Sequence, residues 1–159
     1  MLDLISFPDH ARLWIYGSDQ KIADPLIPKL FNQIHSFSKN WVSHNSGLRS
    51  SGGILHNYFA ILIVDEDWNK PGGCSIDFSV HFIQSLEKEY QLQFFNRDIF
   101  HYLDQDNVVT IHKDSLAEAY STGSIHDESL FFDPLVNTKS AFQKEWVKPL
   151  HASWQKRFL

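Results

Sequence analysis

The stretch Ile54–Glu66, ILHNYFAILIVDE, decides the fold, because its second half, Tyr58–Val64, is apolar without interruption. A strand with one face in water alternates apolar and polar residues, whereas a strand covered on both faces does not. We therefore predict a strand near the middle of a sheet, with packed layers on both sides. The run is far shorter than the roughly 20 residues that a membrane-spanning helix needs, so no membrane insertion is expected.

Three helices and a first strand are predicted around this central strand. RLWIY, residues 12–16, predicts the first strand, and apolar residues at spacings of three and four predict a helix from about residue 25 to residue 41. A second helix is predicted from about residue 76 to residue 90. The last helix begins near NTKS, residues 137–140, where Ser140 and Gln143 are spaced as a capping box.

The remaining segments are predicted from turn residues and apolar runs. SHNSGLRSSGG, residues 43–53, is typical of a long loop, with its three glycines as punctuation. Residues 91–103 and 107–113 are strand candidates, and residues 115–124 form a further strand or a short helix. We expect a single α+β domain over residues 1–159, with a mixed β-sheet of about four to six strands and three main helices packed on it.

Composition restricts the class of protein. The chain has 159 residues and 43% hydrophobic residues, enough for one core without a disulfide or metal. Its formal net charge is −5 and its 14 Lys and Arg residues are scattered, so no nucleic-acid partner is expected. The single cysteine fits a reducing compartment, and the N-terminus lacks the features of a signal peptide. These observations predict a cytoplasmic protein.

Several common catalytic motifs are absent from the sequence. There is no G-x-x-x-x-G-K-[ST] phosphate loop, no G-x-G-x-x-G after a strand, no H-E-x-x-H and no G-x-S-x-G. The segment GSDQKIAD after the first strand has a lysine but only one glycine. ATP hydrolysis by a P-loop mechanism is therefore excluded.

The only cysteine, Cys74, stands in GGCSID at the predicted start of the second helix. Ser75 is a natural N-cap, and the two preceding glycines let the backbone approach a ligand closely. Free N–H groups at a helix start favour an anion. Asp77 opposes activation of the thiol, because its negative charge in the predicted first turn disfavours a thiolate.

Three interpretations of Cys74 stay open: a small buried thiol, the wall of a ligand pocket, and a nucleophile. A nucleophilic thiol needs a cationic neighbour or a histidine base, and His44 in the predicted loop is the candidate for the base. His44 could instead cap the end of the first helix, which requires no catalysis. A cysteine-dependent hydrolase or transferase, with Cys74 as nucleophile and His44 as base, is thus an alternative to a binding protein.

Carboxylates and histidines raise the question of a metal. Asp65 and Asp67 follow the central strand, where carboxylates can hold Mg²⁺, so a Mg²⁺-dependent enzyme is a weaker alternative. Three acidic residues in a loop are, however, typical of a solvated turn. The nine histidines show no H-x-H, H-x-x-H or H-x-x-x-H spacing, and we predict no metal site and no cofactor.

Aromatic residues and one arginine complete the predicted site. Trp14 and Trp41 are large side chains near the predicted pocket, and Arg97 in FFNRD can pair with Asp77 or with the carboxylate of a ligand. The leading hypothesis is a binding or accessory domain with a pocket at the start of the second helix. Its target would be a small anionic or polar ligand or a protein partner. The pocket residues would be Cys74, Ser75, Asp77, His44, Arg97, Trp14 and Trp41.

Five stretches, LWIYGSD, WVSHNSGL, GGCSIDFSVHFIQSLE, FFNRD and FDPLV followed by two tryptophans, carry a family resemblance. Together they resemble a family of short Bacteroidetes proteins that are commonly labelled "ABC transporter ATPase", and the resemblance covers nearly the whole chain. It implies a bacterial protein of a family without an established activity. The ATPase label is not supported by the residues, because both the phosphate loop and an L-S-G-G-Q signature are absent.

Overall fold

The structure is a computed structural model that describes residues 2–159. Its strands are β1 (Arg12–Gly17), β2 (Val42–Ser43), β3 (Ser46–Gly47), β4 (Ser50–Leu55), β5 (Phe59–Val64), β6 (Ile99–Asp104), β7 (Asn107–His112), β8 (Leu130–Phe132) and β9 (Val147–Pro149). Its α-helices are α1 (Ile27–Asn40), α2 (Gly73–Tyr90), α3 (Leu116–Ser121) and α4 (Lys139–Glu145). Short 3₁₀ helices cover Asp24–Leu26, Lys113–Ser115, Leu150–Ala152 and Trp154–Phe158. None of the helices in the described part of the chain combines the length and the apolarity needed to cross a membrane.

The α+β class is confirmed, but the strands form three antiparallel sheets in place of the single mixed sheet that we expected. Their orders are β1-β5-β4, β2-β3 and β7-β6-β8-β9. Tight turns join the successive strands β2-β3, β4-β5 and β6-β7, and these three pairs are antiparallel for that reason. The central residues of these turns all have positive φ: His44 and Asn45, His56 and Asn57, Gln105 and Asp106. None of these six is glycine, which is the residue that most often signals such turns.

β5 lies between β1 and β4, and all six of its residues are buried, which confirms the predicted central strand. Ala60, Leu62 and Val64 pack into a core that includes Ile34 of α1 and Ile83 of α2. The alternate residues of β5 face the opposite core, which the N-terminal segment and α4 help to form. Both faces of this short strand are therefore removed from water.

The segment predicted as a loop, residues 43–53, contains most of β4 and part of the β2-β3 hairpin, so the loop prediction was wrong. Close packing explains why this strand contains glycine at position 52. A Cβ atom at this position would lie 2.6 Å from Cγ2 of Ile34 and 2.9 Å from the carbonyl oxygen of Ile61. The glycine is needed because α1 packs directly onto this strand.

Three further boundaries differ from the sequence predictions. Residues 91–98 form turns, and β6 begins only at Ile99. α2 begins at Gly73, three residues earlier than predicted. The N-cap of α4 is Thr138, whose hydroxyl accepts a hydrogen bond from the Ala141 N–H, so the predicted cap at Ser140 was wrong. Residues 115–124 contain the short helix α3, the second of the two predicted alternatives.

Candidate functional site

The start of α2 is built differently from the predicted anion site. Gly72 is the N-cap residue, and its N–H donates a 3.1 Å hydrogen bond to the hydroxyl of Ser43. Ser75 is the third residue of the helix, so the prediction that it caps the helix was wrong. Its buried hydroxyl donates to the carbonyl oxygen of Val42 at 2.9 Å. Ser75 therefore attaches α2 to β2.

The two tryptophans of the predicted site also have structural partners. The indole Nε1–H of Trp41 donates to the carbonyl oxygen of Ser75 at 2.8 Å. Trp14 packs edge-on against Trp41, with ring centroids 5.7 Å apart, and the Arg12 guanidinium carbon lies 4.7 Å from the Trp14 ring centroid. These contacts stabilise the junction of β1, α1 and α2.

Cys74 and His44 lie in the same region without a hydrogen bond between them among the described residues. Cys74 is exposed in the first turn of α2. The His44 ring approaches the N-cap residue Gly72, since its Nε2 atom lies 3.3 Å from where a Cβ on Gly72 would stand. Asp77 is exposed in the second turn of the helix, because α2 starts earlier than predicted. It does not occupy the first turn as we expected.

Arg97 lies apart from this group. Cys74 and Asp77 lie near the start of α2, whereas Arg97 follows the C-terminal end of this helix by seven residues. A helix of 18 residues is about 27 Å long. Arg97 lines a separate cavity together with residues of β1, β6 and the C-terminal segment. The seven predicted site residues therefore fall into a group of six around α2 and a single arginine elsewhere.

The cavity that contains Arg97, called the Arg97 cavity below, has a volume of about 610 Å³. This is within the range of small-molecule sites in proteins. Its walls come from β1, the turn before β6, the beginning of β6, the 3₁₀ helix after β7, the segment after β8 and the last 3₁₀ helix. The lining residues are Ile15, Tyr16, Gly17, Phe94, Phe95, Asn96, Arg97, Asp98, Ile99, Phe100, His101, Lys113, Pro134, Leu135, Trp154, Arg157 and Phe158.

Charge in the Arg97 cavity is predominantly positive, with three cationic side chains and one carboxylate in its wall. Lys113 pairs with Asp98 at 2.8 Å, and this contact lowers the pKa of Asp98 and raises the pKa of Lys113. Arg157 lies over the rings of Trp154 and Phe158, at 5.2 and 5.1 Å from their centroids. Arg97 has neither an ion pair nor an aromatic partner within residues 2–159.

The C-terminal wall of the Arg97 cavity is fixed by hydrogen bonds to the four-stranded sheet. The indole Nε1–H of Trp154 donates to the carboxylate of Asp133 at 3.0 Å, and Lys148 pairs with the same carboxylate at 3.1 Å. The buried side-chain amide of Gln155 donates to the carbonyl oxygen of Phe132 at 2.9 Å. Trp154 and Gln155 are thus bonded to the end of β8 and to the residue that follows it.

His101 contributes a buried polar ring to the wall. Only 7% of the residue is exposed, and its Nε2 lies 2.7 Å from the carbonyl oxygen of Ser18. Burial lowers the pKa of His101, so the neutral ring donates Nε2–H to this carbonyl and keeps a lone pair on Nδ1. The ring packs tightly on β1, because a Cβ atom on Gly17 would lie 2.6 Å from its Cε1.

The acidic residues after β5 have protein partners. Asp65 is buried, its carboxylate accepts a 3.0 Å hydrogen bond from the Asp67 N–H, and it lies 3.5 Å from the Arg49 guanidinium. The Asp67 carboxylate lies 2.7 Å from Nε2 of His10. Within residues 2–159 no group of three histidine, cysteine or acidic side chains is arranged to hold a metal ion. The Mg²⁺ hypothesis therefore gains no support from the geometry of these carboxylates.

A second concave surface lies between α1 and α2. It has a volume of about 630 Å³ and is lined mainly by amide and hydroxyl side chains, with Lys29 as its one cationic residue. The rings of Phe37 and Phe82 stack at 4.4 Å in this groove, and Gln33 is already bonded to Glu89 and Tyr90. Gln33 is therefore not available to a ligand in this groove.

Arg97 was predicted from the sequence as a pocket residue, whereas the residues that surround it in the structure were not. The basic cluster in WQKRFL and the aromatic pair in FFNRD are visible in the sequence, but no sequence pattern indicates that residues 15, 97, 113 and 157 lie close together.

Comparison of the chain with protein-family models, with curated proteins and with solved structures gives no match. The resemblance to the Bacteroidetes family therefore stays a prediction.

Proposed function

We propose that this protein is a binding domain for a small organic anion, and that the anion occupies the Arg97 cavity. The observation that carries the proposal is the excess of cationic side chains, Arg97, Lys113 and Arg157, over the single carboxylate of Asp98. Lys113 already neutralises Asp98. An anionic ligand would balance the charge of the two arginines.

Arg97 supports this proposal most directly. A guanidinium presents a planar set of donors that matches a carboxylate or phosphate in two hydrogen bonds. Arg97 makes no contact with a carboxylate of the described chain, so these donors are available to a ligand. Arg157 adds a second cation whose position is set by Trp154 and Phe158.

The aromatic walls favour a ligand with a planar or apolar part. Phe100 and Trp154 pack edge-on with centroids 5.6 Å apart, and Phe158 packs on Phe100 at 5.4 Å. Such walls gain free energy by burying apolar surface, while the arginines fix the orientation of the ligand. We therefore expect benzoate or phenyl phosphate to bind more tightly than acetate or inorganic phosphate.

Isothermal titration with these four anions tests the proposal. We expect the substitution Arg97→Gln to weaken binding of benzoate by about tenfold or more, as loss of a charged hydrogen-bond pair costs about 1.5–3 kcal/mol. The control Lys39→Ala removes the same charge from the exposed end of α1 and should leave binding unchanged. Equal affinities of wild-type protein and Arg97→Gln for every anion would overturn the proposal.

The start of α2 is the competing location for the ligand, as the sequence predicts. Treatment of exposed Cys74 with iodoacetamide adds a bulky group to the first turn of α2. Binding in the Arg97 cavity should survive this modification and respond only to Arg97→Gln. A ligand that is lost on alkylation and retained by Arg97→Gln would place the site at α2.

A further inference from the structure

The outer edge of β1 is unpaired within residues 2–159 where it borders the Arg97 cavity. Alternate residues of a strand direct their N–H and C=O groups to opposite edges. The Ser18 N–H bonds to Tyr58 O at 2.7 Å, on the β5 side, whereas the Leu13 N–H bonds to Asn137 O at 3.0 Å, on the outer side. Even-numbered residues of β1 therefore pair with β5, and odd-numbered residues face outward.

Ile15 and Gly17 are the outward-facing residues that line the Arg97 cavity. Their N–H and C=O groups have no hydrogen-bond partner in the part of the chain that the structure describes. The four groups form an alternating set of two donors and two acceptors. Such a set is the template to which a further strand adds.

Gly17 lets the His101 ring pack closely against the end of β1. It carries no side chain, and His101 occupies the space that a Cβ atom would need. The ring of His101 donates its Nε2–H to the carbonyl oxygen of Ser18, the next residue along the chain. His101 therefore holds the end of β1 in place without using the outward groups of Ile15 and Gly17.

Backbone hydrogen bonds limit the unpaired edge of β1 at both ends. The bond from Leu13 to Asn137 limits it on one side, and the bond from the Asp19 N–H to Gln93 O, at 2.9 Å, limits it on the other. Only residues 14–18 lie between these two contacts. A long strand that passes along β1 would collide with one of the two closing segments, whereas the end of a chain fits the gap.

We propose that the anion bound in the Arg97 cavity is the C-terminal carboxylate of an extended peptide, whose last residues add to β1 as a short strand. The cationic walls select a carboxylate end over an ammonium end, which Arg97 and Arg157 would repel. The aromatic walls receive a side chain of the peptide. This inference rests on the proposed function and adds the class of ligand.

The test uses ¹⁵N-labelled protein and a pool of tetrapeptides randomised at all four positions, prepared as free acids and as amides. With the free acids, we expect exchange of the Ile15 and Gly17 amide protons with solvent to slow at least tenfold. The Tyr16 amide, which already faces β5, should not change. Amidated peptides should have no effect, and Arg97→Gln should abolish the protection by free acids.

Methylation of the peptide nitrogens gives a second readout that involves no change to the protein. In a strand, alternate peptide N–H groups face β1, so N-methylation at one of two adjacent positions should abolish binding and at the other should be tolerated. Equal effects at both positions would overturn strand addition. If benzoate binds but free-acid peptides do not slow amide exchange at Ile15 and Gly17, strand addition is overturned. The proposal that the cavity binds an organic anion would then still stand. Absence of binding by benzoate and peptides alike would overturn both.

Discussion

The indole Nε1–H of Trp41 donates a 2.8 Å hydrogen bond to the carbonyl oxygen of Ser75. It joins the residue after α1 to the first turn of α2. The Ser75 hydroxyl in turn donates to Val42 O at 2.9 Å, so Ser75 bonds both to the residue that follows α1 and to the first residue of β2. The start of α2 is therefore a structural junction.

Trp41→Phe should destabilise the fold through loss of this junction. The substitution removes the indole donor and part of a buried ring that is only 3% exposed. We expect the free energy of unfolding to fall by about 1–3 kcal/mol, measured by urea denaturation. Trp68→Phe is the matched control, because Trp68 is 71% exposed, and it should change stability by less than about 0.5 kcal/mol. Equal effects of the two substitutions would contradict a structural role for the Trp41 contact.

A pair of glycine substitutions tests the packing of α1 on β4. Gly52→Ala should lower the unfolding free energy by about 1–3 kcal/mol, because the new methyl group would lie 2.6 Å from Cγ2 of Ile34. Gly47→Ala is the control, since nothing lies within 4 Å of a Cβ atom there. Thermal unfolding followed by circular dichroism measures both. A tolerated Gly52→Ala variant would show that α1 can move away from the sheet.

Stability should depend on pH through His101. Burial lowers its pKa in the folded protein, so the unfolded chain binds a proton more readily. The contribution of His101 to the free energy of unfolding is complete above the unfolded pKa of about 6.5. It is lost as the pH falls through the lower folded pKa. His101→Gln should therefore reduce the loss of unfolding free energy between pH 7.5 and pH 5. Identical pH profiles of wild type and variant would contradict this assignment.

Cys74 should react as an accessible thiol without assistance from His44. The cysteine is exposed, and no hydrogen bond within the described chain joins it to the imidazole. We expect His44→Ala to change the rate of alkylation by iodoacetamide at pH 7 by less than about twofold. A tenfold fall in that rate would instead favour the cysteine-dependent enzyme, because a base that activates the thiol should accelerate alkylation.

The elements with strong apolar patterns were predictable from the sequence. β5 was predicted from its uninterrupted apolar run, and α1 from residues such as Leu30 and Ile34 at helical spacing. The strand β4 was missed because Gly52 and Gly53 resemble loop residues, although close packing against Ile34 and Leu2 explains these glycines. The hairpin turn at His44 and Asn45 was missed because it lacks glycine.

The Arg97 cavity was only partly predictable. FFNRD pointed to Arg97 as a ligand-binding residue, but its expected neighbour Asp77 lies at the other end of α2. The observed neighbours, including Gly17 and Arg157, are far away in the chain and meet only because β1 and the C-terminal segment pack beside β6. Long-range contacts of this kind leave no periodic signal in one sequence.

The dependence of the Arg97 cavity on both β1 and Trp154–Phe158 has a consequence for synthesis on the ribosome. The β4-β5 hairpin needs only adjacent residues, so it can close while the rest of the chain is still being translated. The wall formed by Trp154 and Arg157 is added only after more than 130 residues have followed β1 out of the exit tunnel. A stalled or truncated nascent chain that lacks this wall would contain β1 and the central strand but only part of the Arg97 cavity.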